Sequence, residues 1–498
     1  MVIRMKQAIL SLDQGTTSTR AIVFSLEGEI ISSSQIEHKQ IYPQHSWVEH
    51  DAEEIWQNTL RVCKRALEEA STQGYMPVTM GITNQRETII AWDKTTGTPL
   101  HNAIVWQDKR TAGNCEELRK HHDHTIQCKT GLPTDPYFSA SKMQWLIEHI
   151  PAIQEALDAE NIAFGTIDSF LLFKLTGGEV HATDITNASR TMLFNIHKCA
   201  WDAELMHLFE IPHHTLPKVL ASAANFGITA ANLLPVQLPI EGIAGDQQAA
   251  TIGQCCFAEG MIKSTYGTGC FAVLNTGKTP VTSENGLITT ILYQINDEVY
   301  YGLEGSIFIA GAIVQWLRDQ LGLIVSAQET EQLAASASDD DDVYFVPAFT
   351  GLGAPYWDAE AKAAISGMTL DTNKDHIVRA ALDAVAYQTN DLIQAMEKDT
   401  GQKIDHLRVD GGMVANNWLL SRIADILGIE IIRPHIIETT ALGAAYLAGL
   451  HHGLYDSLEE VAQKWRCDQT FTSKMDSETR ADKQAGWQKA TQKVQKNA

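Results

Sequence analysis

Ala8-Ile9-Leu10-Ser11-Leu12-Asp13-Gln14-Gly15-Thr16-Thr17-Ser18-Thr19-Arg20-Ala21-Ile22-Val23-Phe24 is the stretch that decides the fold. Residues 8–12 and 20–24 have the length and apolar content of strands, and the polar run between them carries the glycine of a turn. Glu27-Gly28 reads as a second turn and Ile30-Ile31 as a third strand, which makes an antiparallel meander. The first turn is also chemically dense. Glycine lets a ligand come close to the backbone, and successive N–H groups form an anion-binding nest. Thr16, Thr17 and Ser18 add donors, and Arg20 adds positive charge. Asp13 does not favour a bare phosphate but suits Mg²⁺ held through water. A plain polar hairpin is the other reading of the same residues. No GxxxxGK[ST] run occurs, so a P-loop is not supported.

The pattern returns. Ser264-Thr265-Tyr266-Gly267-Thr268-Gly269 lies between Met261-Ile262 and Phe271-Ala272-Val273-Leu274. Gly267 aligns with Gly15 and Thr268 with Thr16, 252 residues apart, close to half of the 498-residue chain. Either two common Gly-Thr turns coincide, or the chain is a duplicated two-lobed α/β protein. The second reading places a phosphate turn in each lobe and a cleft between them. The expected division is 1–250 and 251–498.

Elsewhere strands and helices alternate, the signature of an α/β protein. Asp51 to Ser71 reads as a helix, with Asp51 and Glu54 at capping-box spacing. Val78 to Thr83 is a short strand. Ile89 to Trp92, the Gly97 turn and Ile104 to Trp106 suggest a hairpin. Trp418 to Leu427 is a helix stopped by Gly428. Ile429 to Ile432 is a strand closed by Pro434, and Thr440 to Leu450 is a helix of small residues.

The net charge of −23 disfavours nonspecific nucleic-acid binding. Eight cysteines without a CxxC pair argue for a reducing compartment rather than a disulfide framework. The N-terminus shows no long apolar signal segment, and the apolar run Ala441 to Leu450 is half a membrane span. A cytoplasmic protein without an integral membrane segment is expected. Asp339 to Asp342 reads as a solvated acidic loop, and His121-His122-Asp123-His124 as surface rather than a metal cluster.

Further motifs surround the two turns. In Gly242 to Ala250, small residues flank Asp246 and Gln247 at a strand end, where Asp246 suits a general base on a hydroxyl or an N-cap for the following helix. Arg86 and Glu87 close another strand and suit several hydroxyls of a polyol, with Arg donating and Glu accepting. A surface ion pair is the alternative. Trp106, Tyr137 and Phe271 suit the carbon side of a small polyol, or ordinary core packing. Gly311 with Gln315, and Gly412 with Asn416, are four apart. On a helix each pair shares a face, where the glycine would let an adenine ring lie flat.

Taken in order, these motifs resemble the FGGY carbohydrate kinases, and among them those that phosphorylate glycerol. The resemblance rests on 13–20, Asn84-Gln85-Arg86-Glu87-Thr88, Ile104 to Asp108, Ser189 to Asn195, Gly245 to Gln248 and Tyr266 to Phe271. It extends to Tyr137 to Lys142 with Trp145, to Ser366-Gly367-Met368 leading to Ala380 to Asp383, and to Asp410-Gly411-Gly412. It implies the actin-like, duplicated ribonuclease-H-type fold and ATP-dependent phosphorylation of glycerol to sn-glycerol 3-phosphate. By position it implies that Arg86, Glu87, Tyr137, Asp246 and Gln247 bind glycerol hydroxyls between Trp106 and Phe271. Thr16, Thr17, Ser18, Arg20, Thr268, Gly311, Gln315, Gly412 and Asn416 would surround ATP. Asp246 would be the base, and Asp13 would support Mg²⁺. The family suggests homodimers or homotetramers. Ala230 to Ile240 contains no cation in place of the loop that binds a sugar bisphosphate in some members, so little inhibition by fructose 1,6-bisphosphate is expected. An FGGY kinase for a longer polyol or ketose, and an actin-like nucleotide switch, are the alternatives.

Overall fold

A computed structural model of the chain describes residues 5–338, 342–358 and 360–495. Asp339 to Asp341 of the acidic run lie outside the described residues.

The opening meander is β1 (Lys6–Gln14), β2 (Ser18–Ser25) and β3 (Ile30–Glu37). β1 is buried over its last seven residues, as expected of a central strand covered on both faces. β4 (Tyr75–Asn84) and β5 (Ile240–Gly245) complete a sheet of order β3-β2-β1-β4-β5, in which β4 lies parallel to β1 and β5 to β4.

The second half repeats this order. Here β6 (Ile262–Tyr266) and β7 (Cys270–Gly277) flank the second turn. β8 (Ile288–Ile295) and β9 (Glu298–Ile307) form a hairpin, and β10 (His406–Asp410), β11 (Glu430–Pro434) and β12 (Cys467–Phe471) complete the sheet. The order β8-β9-β7-β6-β10-β11-β12 contains β9-β7-β6-β10-β11, the counterpart of the first sheet, with one strand added at each edge. The half-chain repeat is therefore a repeat of topology, and the fold is the duplicated α/β class expected.

Helix α1 (Ala52–Thr72) packs on the first sheet, and Asp51 caps it by accepting from the N–H groups of Glu53 and Glu54. The reciprocal half of the capping box is absent: the Glu54 carboxylate accepts from Lys39 N instead. The expected hairpin is also shorter than its pattern. Ile89–Asp93 touches the returning chain at two bridges, Trp92–Pro99 and Ile89–Ile104, and pairs along its length with Ile162–Thr166, a partner too distant for local periodicity to reveal.

Three more helices position the site. α2 (Ile185–Ala188) is a single turn capped by Asp184. α3 (Asp246–Gly253) continues β5, and α4 (Gly311–Asp319) follows β9. α5 (Lys374–Thr400) and α6 (Asn417–Leu427) cover the second sheet, and Gly428 ends α6 in the left-handed region. α7 (Thr439–His452) belongs to the second half in sequence but packs on β1, β4, β5 and α3. A Cβ on Gly443 would lie 1.8 Å from the Ala249 carbonyl oxygen, so the α3 and α7 backbones touch because that side chain is missing.

Candidate active site

β4 ends at Asn84, and Gln85 N still donates to Gln14 O at 2.7 Å. The chain then reverses sharply. Thr88 N donates to Arg86 O at 2.6 Å around Glu87, whose φ is +60°. A non-glycine residue held there costs about 1–3 kcal/mol and persists only where its surroundings enforce it. The surroundings are an ion network. Arg86 Nη1 and Nη2 donate to the two carboxylate oxygens of Glu304 at 2.5 and 2.9 Å. Arg190 Nε donates to Glu87 Oε1 at 2.6 Å, and its Nη2 to Glu304 Oε1 at 3.0 Å. Arg86 Nε faces Asp246 Oδ1 at 3.2 Å and Glu87 Oε1 at 3.8 Å. Arg86 and Glu87 are thus a buried pair rather than a surface pair. Burial opposes ionisation of Glu304, yet Arg190 and Arg86 hold its carboxyl down to about 2. Burial raises Glu87 in spite of the same two arginines.

The three aromatic residues form one wall. Trp106 lies edge-on to Tyr137 at 5.6 Å and to Phe271 at 6.5 Å between ring centres. Buried Lys142 shapes the loop that carries Tyr137, donating to the carbonyls of Pro136, Tyr137 and Phe138. Burial lowers its ammonium to about 8.

Asp246 is the first residue of α3, and the N-cap is Gly245, so the capping reading of Asp246 is corrected. Its side chain keeps 30% exposure at the site, and Oδ1 accepts from Gln247 N. Burial raises its carboxyl, while Arg86 and Lys263 oppose the rise. A Cβ at Gly245 would meet Arg86 Cδ and Cγ at 2.7 Å, so glycine here makes room for the arginine. Gly245 N donates to Thr186 Oγ1, which ties α2 to the start of α3. Gln247 is more committed than its sequence context implies, because Oε1 accepts from buried Lys263 at 2.6 Å.

The first Gly-Thr turn is closed by Gly15 N donating to Ser18 O at 2.9 Å. The Thr16 carbonyl accepts from His38 Nε2 and Gln40 Nε2, and its hydroxyl from Trp106 Nε1, each at 2.9 Å. Thr17 is exposed on the turn. Burial lowers His38, and a second histidine, His50, is lowered to about 3 by burial and by His38, so both are neutral props behind the turn. Arg20 does not stand as a free cation. It pairs with Asp13 at 3.0 Å and with Glu438 at 2.7 Å, which neutralises much of the charge expected for a phosphate. Asp13 uses Oδ2 in that pair, while Oδ1 takes no part in it. A carboxylate with one oxygen outside the ion pair fits a hydrated Mg²⁺.

The second turn is closed by Gly267 N donating to Gly269 O at 2.8 Å, and α4 docks on it through Gly311 N to Gly267 O at 2.9 Å and Ala312 N to Thr268 O at 3.0 Å. Beside it opens a cavity of about 350 Å³ lined by Thr268, Gly311, Gln315, Gly412, Asn416 and Leu419, among others. Gly311 and Gln315 both lie in α4, four apart as expected of one helix face, and only the second glycine–amide pair needs correcting. A Cβ on Gly311 would meet Gly267 O at 2.5 Å, so this glycine serves a backbone contact, whereas Gly412 faces open space. Gly412 starts a 3₁₀ turn, and Asn416 is the N-cap of α6, so the second pair shares a cavity but not a helix face. The Asn416 side chain accepts from Leu419 N and donates to Thr330 Oγ1.

The structure thus gathers Arg86, Glu87, Trp106, Tyr137, Asp246 and Phe271 at one place, Thr268, Gly311, Gln315, Gly412 and Asn416 around the cavity, and Asp13, Thr16, Thr17, Ser18 and Arg20 at the first turn. Three charged residues escaped sequence reading. Arg190 lay in a recognised motif without a role. Glu304 shows only as an acid inside an apolar strand, between Gly302 and Gly305, and Lys263 as a lysine in a buried one.

A profile of the FGGY family of carbohydrate kinases, N-terminal domain, matches residues 8–253, and its C-terminal counterpart matches residues 262–452. The chain is 54% identical to a glycerol kinase of Alcanivorax borkumensis, covering 98% of both chains. It is 52% identical to glycerol kinase 1 of Pseudomonas aeruginosa, covering 99% of this chain and 100% of that one. The crystal structure of Plasmodium falciparum glycerol kinase with ADP superposes with a TM-score of 0.91 at 40% identity, covering 98% of each chain. A xylulose kinase of Lactobacillus acidophilus, 21% identical with a TM-score of 0.85 and coverage of 98% and 97%, shares the fold. No helix among the described residues is long and apolar enough to cross a membrane.

Proposed function

The chain belongs to the FGGY family of carbohydrate kinases, and from that premise we infer that it transfers the γ-phosphoryl group of ATP to glycerol, giving sn-glycerol 3-phosphate and ADP. The observation that carries the reading is the placement of Asp246. It lies at the start of α3 with Oδ1 3.2 Å from Arg86 Nε, at the edge of the buried ion network, and its side chain keeps 30% exposure. In phosphoryl transfer the protein contributes positioning and charge stabilisation.

In this reading ATP occupies the cavity beside Thr268, with Gly311, Gln315, Gly412 and Asn416 around the nucleoside. Thr16, Thr17, Ser18 and the turn N–H groups receive the phosphates, and Arg20 tempers the charge of Asp13. Arg86, Glu87, Tyr137 and Gln247 hold glycerol hydroxyls, with the carbons against Trp106 and Phe271. Asp246 takes the proton of the attacking hydroxyl as the new O–P bond forms and the bond to ADP breaks. Mg²⁺ would offset charge on the transferring phosphates, with Asp13 and its water as the protein support. Closure of the lobes excludes water as a competing acceptor. We take the lobes as 1–250 and 251–498. Cytoplasmic residence and assembly into homodimers or homotetramers belong to the same reading, and sedimentation measures the assembly.

The test is ADP release with Mg-ATP against glycerol, dihydroxyacetone, erythritol, xylitol, xylulose and no acceptor, with the product identified by phosphorus NMR. Glycerol-dependent formation of glycerol 3-phosphate is expected. Preference for a longer polyol or a ketose would keep the chemistry and overturn the acceptor assignment. ATP binding without acceptor-dependent turnover would favour a nucleotide switch.

A further inference from the structure

Arg86 and Arg190 stand in the first half of the chain, at the end of β4 and just after α2. The carboxylate that joins them comes from β9, in the other sheet, where Glu304 sits opposite Val273 and Ile288 with no exposed surface. Both Glu304 oxygens are used. Oε2 accepts from Arg86 Nη1 at 2.5 Å, and Oε1 accepts from Arg86 Nη2 at 2.9 Å and Arg190 Nη2 at 3.0 Å. A fork of this kind fixes the rotation of a guanidinium as well as its place. With its outer nitrogens held, Arg86 turns Nε toward Asp246, and Arg190 turns Nε onto Glu87. Without Glu304 the two guanidiniums would face each other with Glu87 as their main counter-charge.

We propose that Glu304 is an interlobe positioning residue that sets Arg86 and Arg190 for the acceptor only when the lobes sit together. Acceptor binding and lobe closure are then one event, since withdrawing β9 removes the carboxylate that orients the acceptor-binding arginine. This rests on the glycerol reading above.

The experiment uses the full chain with Glu304→Gln, which keeps the shape and loses the charge, and Arg190→Lys, which keeps the charge and loses the fork. Charged hydrogen bonds of this kind correspond to about a 10-fold to 100-fold effect. The glycerol KM of Glu304→Gln is expected to rise by about that factor, with the ATP KM within about twofold of wild type and a smaller rise for Arg190→Lys. Hydrogen exchange at residues 84–88 is expected to quicken in both variants whatever the substrate proves to be. A folded Glu304→Gln variant with wild-type glycerol KM and exchange would overturn the proposal, as would equal losses toward both substrates, the mark of a merely structural role. If Glu304→Gln does not fold, an unchanged glycerol KM and exchange in Arg190→Lys overturns it. Failure of the wild-type enzyme to use glycerol would sink the functional reading, while hydrogen exchange would still decide the clasp.

Discussion

Trp106 Nε1 donates to Thr16 Oγ1 at 2.9 Å, so the aromatic wall proposed for the acceptor is bonded directly to the first Gly-Thr turn. Trp106 thus has two jobs: its rings form a wall with Tyr137 and Phe271, and its N–H holds the threonine of a turn whose carbonyl is already held by His38 and Gln40. Replacing Trp106 with Phe keeps an apolar ring and removes the donor. A neutral hydrogen bond contributes about 1 kcal/mol, or roughly fivefold in an equilibrium. The ATP KM of Trp106→Phe is expected to rise by about that factor. Steady-state kinetics with ATP varied at saturating glycerol measures it; an unchanged ATP KM would show the link to be idle.

Asp246→Asn removes the carboxylate proposed as the base and keeps a similar shape. General-base contributions are about 10²–10⁴-fold, and kcat is expected to fall in that range while ATP binding persists. Titration calorimetry with ATP and a turnover assay on the folded variant check both halves. Near-normal turnover would remove Asp246 as the base.

Arg86→Ala deprives buried Glu304 of its bidentate partner. Breaking a buried pair from one side costs about 3–5 kcal/mol, so a lower melting temperature is expected together with weakened glycerol use. Arg86→Lys keeps the charge without the fork and is expected to lose glycerol affinity with a smaller loss of stability. Loss of ATP affinity alone in either variant would place Arg86 on the wrong substrate.

Asp391 titrates within reach of neutral pH. Tyr356 OH and Trp487 Nε1 both donate to its Oδ2, and burial lifts the carboxyl from 3.8 to about 7 against those bonds. Because the folded-state value lies above the unfolded one, the stabilisation is full below about 3.8 and is lost as pH rises through about 7. Asp391→Asn retains an acceptor for both donors and never ionises. Its stability relative to wild type should therefore be greater at pH 8 than at pH 5 by about 1–3 kcal/mol. Melting curves of both proteins across that range read the difference, and a constant gap would refute the titration.

Fructose 1,6-bisphosphate at millimolar concentration is expected to leave turnover unchanged at constant free Mg²⁺. Residues 230–240 hold no Lys or Arg, and Leu234 and Leu238 are buried there. Strong saturable inhibition would contradict this.

Much of this protein was legible in its sequence by itself, because the relevant signals are local. Gly15 and Gly267 with their flanking apolar runs are short-range turn and strand chemistry, and each became a turn between antiparallel strands heading one sheet. Asp51 and Gly428 likewise ended helices through bonds to near neighbours. The tertiary structure decided what long-range charge pairing required. Glu304 meets Arg86 across 218 residues, and a lone acid in a strand carries no mark of its partner until two sheets bring it to a guanidinium. Arg20 looked like a free cation until Glu438, on a distant loop, came within 2.7 Å. Backbone periodicity encodes which face of an element is buried, whereas the partner of a buried charge is encoded only by the packing that removes both from water.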